Sequence, residues 1–257
     1  MMSRFYFIAF TTLLRKEIKR FLRIWVQTLL PSLVTTLLYF LIFGQVVGKN
    51  IAPIAGYNYI AYISPGLIMM AIITNTFTNV SSSLYSMRFQ RSIEEILISP
   101  IPDALLLAGF VLGGMVRGLL IGILVTLLSL YFTPLPVPHI WTLMLIIPST
   151  ALLFALAGFT NAIFANSFDH ISAIPTFVLT PLTYLGGIFY SISALPVFWQ
   201  KVSLFNPFVY IVNAFRYALL GVTDVSIGLA LGVIWMCCGA LLLFNLYLLT
   251  VKKKLRG

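Results

Sequence analysis

The chain has little with which to do chemistry: six Asp and Glu together, two His and two Cys among 257 residues, with charged residues only 9% of the total. Set against 60% hydrophobic residues, so sparse a charge set excludes an ordinary soluble globular domain, in which about a quarter of residues are charged. The two cysteines, Cys237 and Cys238, are adjacent in an apolar run, make no disulfide framework and read as small packing side chains. His139 and His170 lie in or beside short loops that the topology below puts on opposite faces of a membrane, so they cannot act together. The glycine-rich pieces LGGMVRG and YLGGIFY lack the Gly-Lys-Ser/Thr ending that cradles a nucleotide phosphate. No catalytic or metal-binding set is expected, nor any cofactor in this chain.

Long apolar runs are what the chain has in abundance. A bilayer core about 30 Å thick needs roughly 20 apolar residues of helix to cross it. Six segments qualify: Ile24 to Val47, Tyr59 to Tyr85, Ala104 to Phe132, Ile140 to Phe164, Ile171 to Tyr190 and Ile227 to Val251. Leu195 to Leu220 is also apolar, but Pro196, Lys201, Asn206, Pro207 and Arg216 interrupt it, and it reads as re-entrant on the outer side. The expected fold is therefore an all-α integral membrane protein of one domain, 1–257. It has an interfacial region at 1–23, a charged cytoplasmic region at 86–103 and an outer region at 191–226.

Basic residues in short loops stay on the cytoplasmic side. Arg4, Arg15, Lys16, Lys19, Arg20, Arg23, Arg88, Arg91, Lys252, Lys253, Lys254 and Arg256 fall on one side of the six-span arrangement, against Lys49, Lys201 and Arg216 on the other. Both termini are expected in the cytoplasm. The net charge of +10 then reflects this bias and attraction to anionic lipid headgroups, with no soluble basic domain for nucleic acid. At the start, Phe7, Phe10, Leu14, Ile18 and Phe21 share one helix face, and Arg15, Lys16, Lys19, Arg20 and Arg23 gather on another. This reads as an interfacial helix, the alternative being a simple extension of the first span.

Glu17, Glu94, Glu95, Asp103, Asp169 and Asp224 all fall in flanks or loops. With no carboxylate expected inside the membrane, coupling to protons or sodium is disfavoured. Nothing in the chain can harvest ATP, so energy for transport has to enter from another polypeptide through the cytoplasmic face. The segment RFQRSIEEILISPIPD, Arg88 to Asp103, holds three of the six acids. Phe89, Ile93, Ile96 and Leu97 make an apolar stripe beside Arg88, Arg91, Glu94 and Glu95, and Pro100 and Pro102 end the helix. Two uses are open: docking a soluble partner, or resting on headgroups with Arg91 paired to Glu94 or Glu95.

Arg117 is the charge nearest the middle of a span, so it must face protein or water. It either lines a path or dimer interface, or caps carbonyls of a neighbouring helix. Beside it Gly114, Gly118 and Gly122 form a small-residue stripe suited to close helix packing within the chain. Asn75, Asn79, Ser82 and Ser86 share a face of the second span, and Thr176, Thr180 and Thr183 one of the fifth. Either stripe suits a weakly polar path or interhelical hydrogen bonding.

The stretch LTPLTYLGGIFYSISALPVFWQKVSLFNPFVYIVNAFR resembles the signature of the ABC-2 type transporter permeases: Leu179, Leu182 and Leu185 precede Gly186 and Ile188, then come Leu195-Pro196, Pro207-Phe208, Tyr210 and Arg216. The resemblance implies two copies of a six-span subunit, paired as a homodimer in the bacterial inner membrane and driven by two separate ATPase subunits that bind ATP and Mg. It implies that Arg88 to Ser99 is a coupling helix, with Arg88, Phe89, Arg91, Ile93, Glu94, Glu95 and Ile96 at the contact. Asn166 to His170, including Asp169, would be a second contact. Asn75, Asn79, Arg117, Thr176, Thr180 and Thr183 would face the path or partner copy, and Pro196, Pro207, Tyr210 and Arg216 would belong to outer re-entrant helices. The absence of a strong ion site favours an amphiphilic substrate, whether drug, lipid or glycan. A non-transporting anchor or regulatory subunit is the alternative, and a passive channel ranks third.

Overall fold

The computed structural model describes residues 2–251, apart from the side chains of Met2, Ser3, Leu97 and Val251. The basic residues Lys252, Lys253, Lys254 and Arg256 lie outside the described residues. The described chain is helical, with a lone bridge between Ile54 and Tyr57 as its only strand-like pairing. In chain order the helices are α1 (Met2–Arg23), α2 (Trp25–Tyr39), α3 (Tyr59–Phe89), α4 (Ile93–Ile98), α5 (Asp103–Phe132), α6 (Ile140–Phe164), α7 (Phe168–Ile174), α8 (Thr180–Tyr184), α9 (Val197–Ser203), α10 (Pro207–Leu220) and α11 (Ile227–Val251). A π-helical stretch, Phe40–Val47, prolongs α2, and another, Pro175–Leu179, joins α7 to α8.

Five helices are long and apolar enough to cross a membrane: Trp25–Asn50, Tyr59–Phe89, Asp103–Phe132, Ile140–Phe164 and Ile227–Thr250. The segment expected as a fifth span, Ile171 to Tyr190, is helical over Phe168 to Tyr184 and then turns. Gly187, at φ +79°, takes the left-handed backbone that a helix cannot continue through. The second span also runs past its expected end, to Phe89, because nothing breaks the helix before Arg91 turns left-handed at φ 57°.

Helix α3 is the hub: 83% of its spanning window is buried inside the chain, against 11% for α2 and 17% for α11. It therefore touches neighbours on every side, while α2 turns Leu30, Val34 and Leu38 outward on an i, i+4, i+8 row. What lets α1 and α3 pack against α5 is glycine on two of its faces. A Cβ at Gly109 or Gly113 would meet Leu13 or Glu17 of α1, and one at Gly114, Gly118 or Gly122 would meet Val80, Thr76 or Ile72 of α3. The expected small-residue stripe thus packs helices within the chain. Cys238 is buried against Ser149, in keeping with a packing role.

Candidate functional site

One end of the bundle gathers the ends of α3 and α6 with the starts of α4 and α7. At the end of α6 the last carbonyls have no helical N–H to accept from. Arg88 supplies it, donating from Nη1 to Ala162 O at 2.7 Å, Ile163 O at 2.9 Å and Ala165 O at 3.3 Å. Its guanidinium is thereby committed inside the chain. Ile93 is fully buried and Ile96 packs partly against the same core cluster. Facing outward are Phe89, Arg91, Glu94, Glu95 and Asp169. No ion pair joins Arg91 to Glu94 or Glu95 among the described residues, so the internally paired alternative has no counterpart there.

The end of α3 and the start of α7 meet through aromatic rings. Phe168, at the start of α7, packs edge-on against Phe89 at 5.3 Å and against Tyr85 at 4.8 Å between centroids. Such pairs contribute about 0.5–1.5 kcal/mol beyond their burial. Phe89 is still 67% exposed, Phe168 51% and Ile98 81%, so an apolar ridge stands beside the three carboxylates. A hollow of about 230 Å³ lined by Arg88, Phe89, Arg91, Glu94 and Asn166 lies at its foot. The α7 turn is fixed by Ser167, whose hydroxyl accepts from the His170 N–H at 3.2 Å.

A second polar assembly sits where α1, α2, α3 and α5 converge. Glu17, in α1 and ahead of the first span as expected, is nonetheless only 1% exposed. The spacing Leu13, Glu17, Phe21 puts it on the apolar face of α1, and Gly113 of α5 leaves room for it. Ser83 donates to its Oε2 at 2.6 Å and Arg20 at 3.4 Å, the one ion pair among the described residues. Arg20 also donates to Asn79 Oδ1 at 2.8 Å, an oxygen that Arg117 shares at 3.4 Å. Arg117 further donates to Asn75 Oδ1 at 3.0 Å and to the backbone carbonyl of Thr28 at 3.1 Å. The Asn75 amide in turn donates to Ser32 Oγ at 2.8 Å.

These bonds account for the bend between α1 and α2. Ile24 leaves helical geometry at φ −115° and ψ 37°, and the Thr28 hydroxyl donates back to the freed Phe21 carbonyl at 3.1 Å. The Arg117 guanidinium thus bonds a backbone carbonyl of a neighbouring helix of the same chain. A cleft of about 180 Å³ between α2 and α3 continues from Asn75, lined by Ser32, Thr35, Thr36, Tyr39 and Thr74. That hydroxyl row on the first span, at i, i+3, i+4 and i+7 spacing, is visible in the sequence and was not expected. In the expected fifth span Thr176 is exposed, while Thr180 and the buried Thr183 donate back to Pro175 O at 2.9 Å and Thr180 O at 2.7 Å.

At the opposite end, 191–226 folds as α9 and α10, with Pro196 flanking the first and Pro207 opening the second. The Asn206 side chain accepts from the Phe208 N–H at 3.0 Å and donates to Leu182 O at 2.8 Å, and Tyr210 donates to Leu204 O at 2.8 Å. Arg216, 1% exposed, donates to Gly187 O at 2.6 Å and lies 4.0 Å over the Tyr62 ring. Asp224 accepts from Ser191 Oγ at 2.8 Å and from the Ile192 N–H at 3.0 Å, and its own N–H donates to Asn213 Oδ1 at 2.9 Å.

A helical bundle with several membrane-length helices, internal polar joints and exposed apolar side chains at one end defines a polytopic membrane protein. Its family follows from sequence: residues 8–220 match the model of the ABC-2 type transporter family, and the chain belongs to it. The chain is 51% identical over 234 residues to "Inner membrane transport permease YadH" of Escherichia coli (strain K12), covering 91% of each. It is 26% identical over 240 residues to "Nodulation protein J" of Rhizobium meliloti (strain 1021), covering 91% of this chain and 88% of that one. It is 25% identical over 212 residues to "Nodulation protein J" of Rhizobium leguminosarum bv. viciae, covering 80% of each. The protein is thus a membrane permease of the ABC transporter type. Membership implies an ATP-binding cassette ATPase as partner.

Proposed function

We propose that the chain is the path-forming subunit of an ATP-driven exporter in a bacterial inner membrane. Two copies form a homodimer with two ATPase subunits, and ATP and Mg are held on the ATPase. The substrate is amphiphilic or lipid-like. The chain crosses six times, Phe168 to Tyr184 and the turns after it making the fifth crossing. Both termini are cytoplasmic, α1 lies at the inner surface, and α9 and α10 are re-entrant on the outer side. Thr176 and the hydroxyl cleft beside Asn75 line the path or partner copy, whereas Asn79, 0% exposed and bonded by Arg20 and Arg117, is enclosed within the chain.

The observation that carries this proposal is the packing of Phe89, at the end of α3, against Phe168, at the start of α7, both still exposed, with exposed Glu94, Glu95 and Ile98 on the next helix, α4, and exposed Asp169 next to Phe168. Apolar side chains ringed by charge suit a soluble partner better than a headgroup layer. Arg88, Ile93 and Ile96 hold that face from inside, and Phe89, Arg91, Glu94, Glu95 and Asp169 touch the ATPase. The name of one relative, an inner membrane transport permease, fits a transport role in that membrane.

The test is the double variant Glu94→Lys with Glu95→Lys. Membrane insertion should persist, while copurification with the cognate ATPase falls at least tenfold, a loss of about 1.4 kcal/mol. Lys201→Glu on the exposed side of α9 is the control; Asp224 is unsuitable because it anchors Ser191 and Ile192. Unchanged copurification in the double variant would remove these carboxylates from the contact.

A further inference from the structure

Between α1 and the end of α3 opens a concave space of about 1150 Å³. One wall carries five cations, Arg15, Lys16, Lys19, Arg20 and Arg23. The other offers neutral polar groups, Ser86 and Gln90, from α3 and the residue that follows it. Glu17 at the base is taken up by Ser83 and Arg20, which leaves four of the cations without a carboxylate among the described residues. Lys16 Nζ has only the Met87 sulfur, at 4.0 Å. An uncompensated positive concavity lined with hydroxyl and amide donors is the chemistry of a phosphate site.

We propose that this cleft binds the phosphate of an anionic membrane lipid. Lipid is favoured over soluble phosphate because the polar cleft is continuous with apolar surface: Leu22 lines it, and Trp25 and Val26 follow on the exposed start of α2. A headgroup in the cleft leaves its acyl chains along those side chains. The proposal rests on placing α1 at the cytoplasmic membrane surface. The bound lipid bridges α1 to α3, which Glu17 and Arg20 already join from beneath.

Native mass spectrometry of the purified full chain, released from nanodiscs of equal phosphatidylglycerol and phosphatidylcholine, reads the site without transport or ATPase. Its failure therefore leaves the exporter proposal standing. Wild type should retain phosphatidylglycerol in preference to phosphatidylcholine. Arg15→Gln with Lys19→Gln and Arg23→Gln should lower that retention at least tenfold. Ser86→Phe keeps every charge and fills the cleft, so it should lower retention by a similar factor, whereas Lys201→Gln should not. Size-exclusion profiles and thermal melts of the variants confirm that each is folded. Normal retention by folded Ser86→Phe would reduce the effect to surface charge and overturn the site. Loss of the lipid on adding millimolar inorganic phosphate would assign the cleft to a soluble anion and overturn the lipid source. Equal retention of both lipids by wild type would overturn the proposal outright.

Discussion

Two arginines are accommodated in opposite ways in this molecule, Arg216 in α10 and Arg117 midway along α5. Arg216 is enclosed, with one short bond to Gly187 O, the Tyr62 ring beneath it and Asp224 on the same outer segment. Arg117 is only half-buried and shares its acceptors: Asn79 Oδ1 also serves Arg20, and Asn75 also reaches Ser32. The first arrangement has one solution and pins the outer segment to α3. The second brings two cations toward one amide oxygen, where their repulsion offsets part of each bond. A joint of that kind, between α1 and the spanning helices, is easier to rearrange. On the proposal that an ATPase drives the chain from the cytoplasmic end, that joint is where movement has to be admitted.

The same substitution at both positions tests this contrast. Arg216→Ala should cost about 3 kcal/mol, from an orphaned Gly187 carbonyl and the cavity left beside Tyr62. Reversible unfolding in mild detergent measures it, and a loss below about 1 kcal/mol would remove the outer anchor from the account. Arg117→Ala should cost only about 1 to 2 kcal/mol, because it also relieves the crowding with Arg20. If Arg117→Ala proved the more damaging, the two positions would have exchanged roles. Glu17→Gln should be the mildest, about 1 kcal/mol, since the amide oxygen still accepts from Ser83 and only the charge opposite Arg20 is lost. Pairing Glu17→Gln with Arg20→Gln in a double-mutant cycle isolates that term.

Much of the helical fold was legible because spanning helices are set by runs of apolar residues, and these runs are long. The exceptions have local causes. Gly187 ends the fifth segment early, and only its positive φ distinguishes it from the glycines packed inside α5. The burial of Glu17 was not read from the sequence, although its i, i+4 relation to Leu13 and Phe21 marks it as inward-facing. Around RFQRSIEEILISPIPD the expected single helix from Arg88 to Ser99 is divided, Arg88 and Phe89 ending α3 and Ile93–Ile98 forming α4. Which of its side chains turn inward was hidden, since Arg88 is committed to carbonyls of α6, far away in sequence. The meeting of Phe89 with Phe168 was equally hidden, because no local pattern encodes contact between separate helices.

The central claim is that the ATPase docks on the ridge formed where the end of α3 meets the start of α7, next to α4. Ile98 and Trp141 make a matched pair for testing it, 81% and 85% exposed and near opposite ends of the spanning helices. A photo-reactive amino acid is placed at each in turn in cells expressing the permease with its cognate ATPase, and the adducts are read by immunoblot. The account predicts a permease–ATPase adduct from Ile98 and none from Trp141. Adducts from Trp141 alone, or from both positions equally, would contradict it.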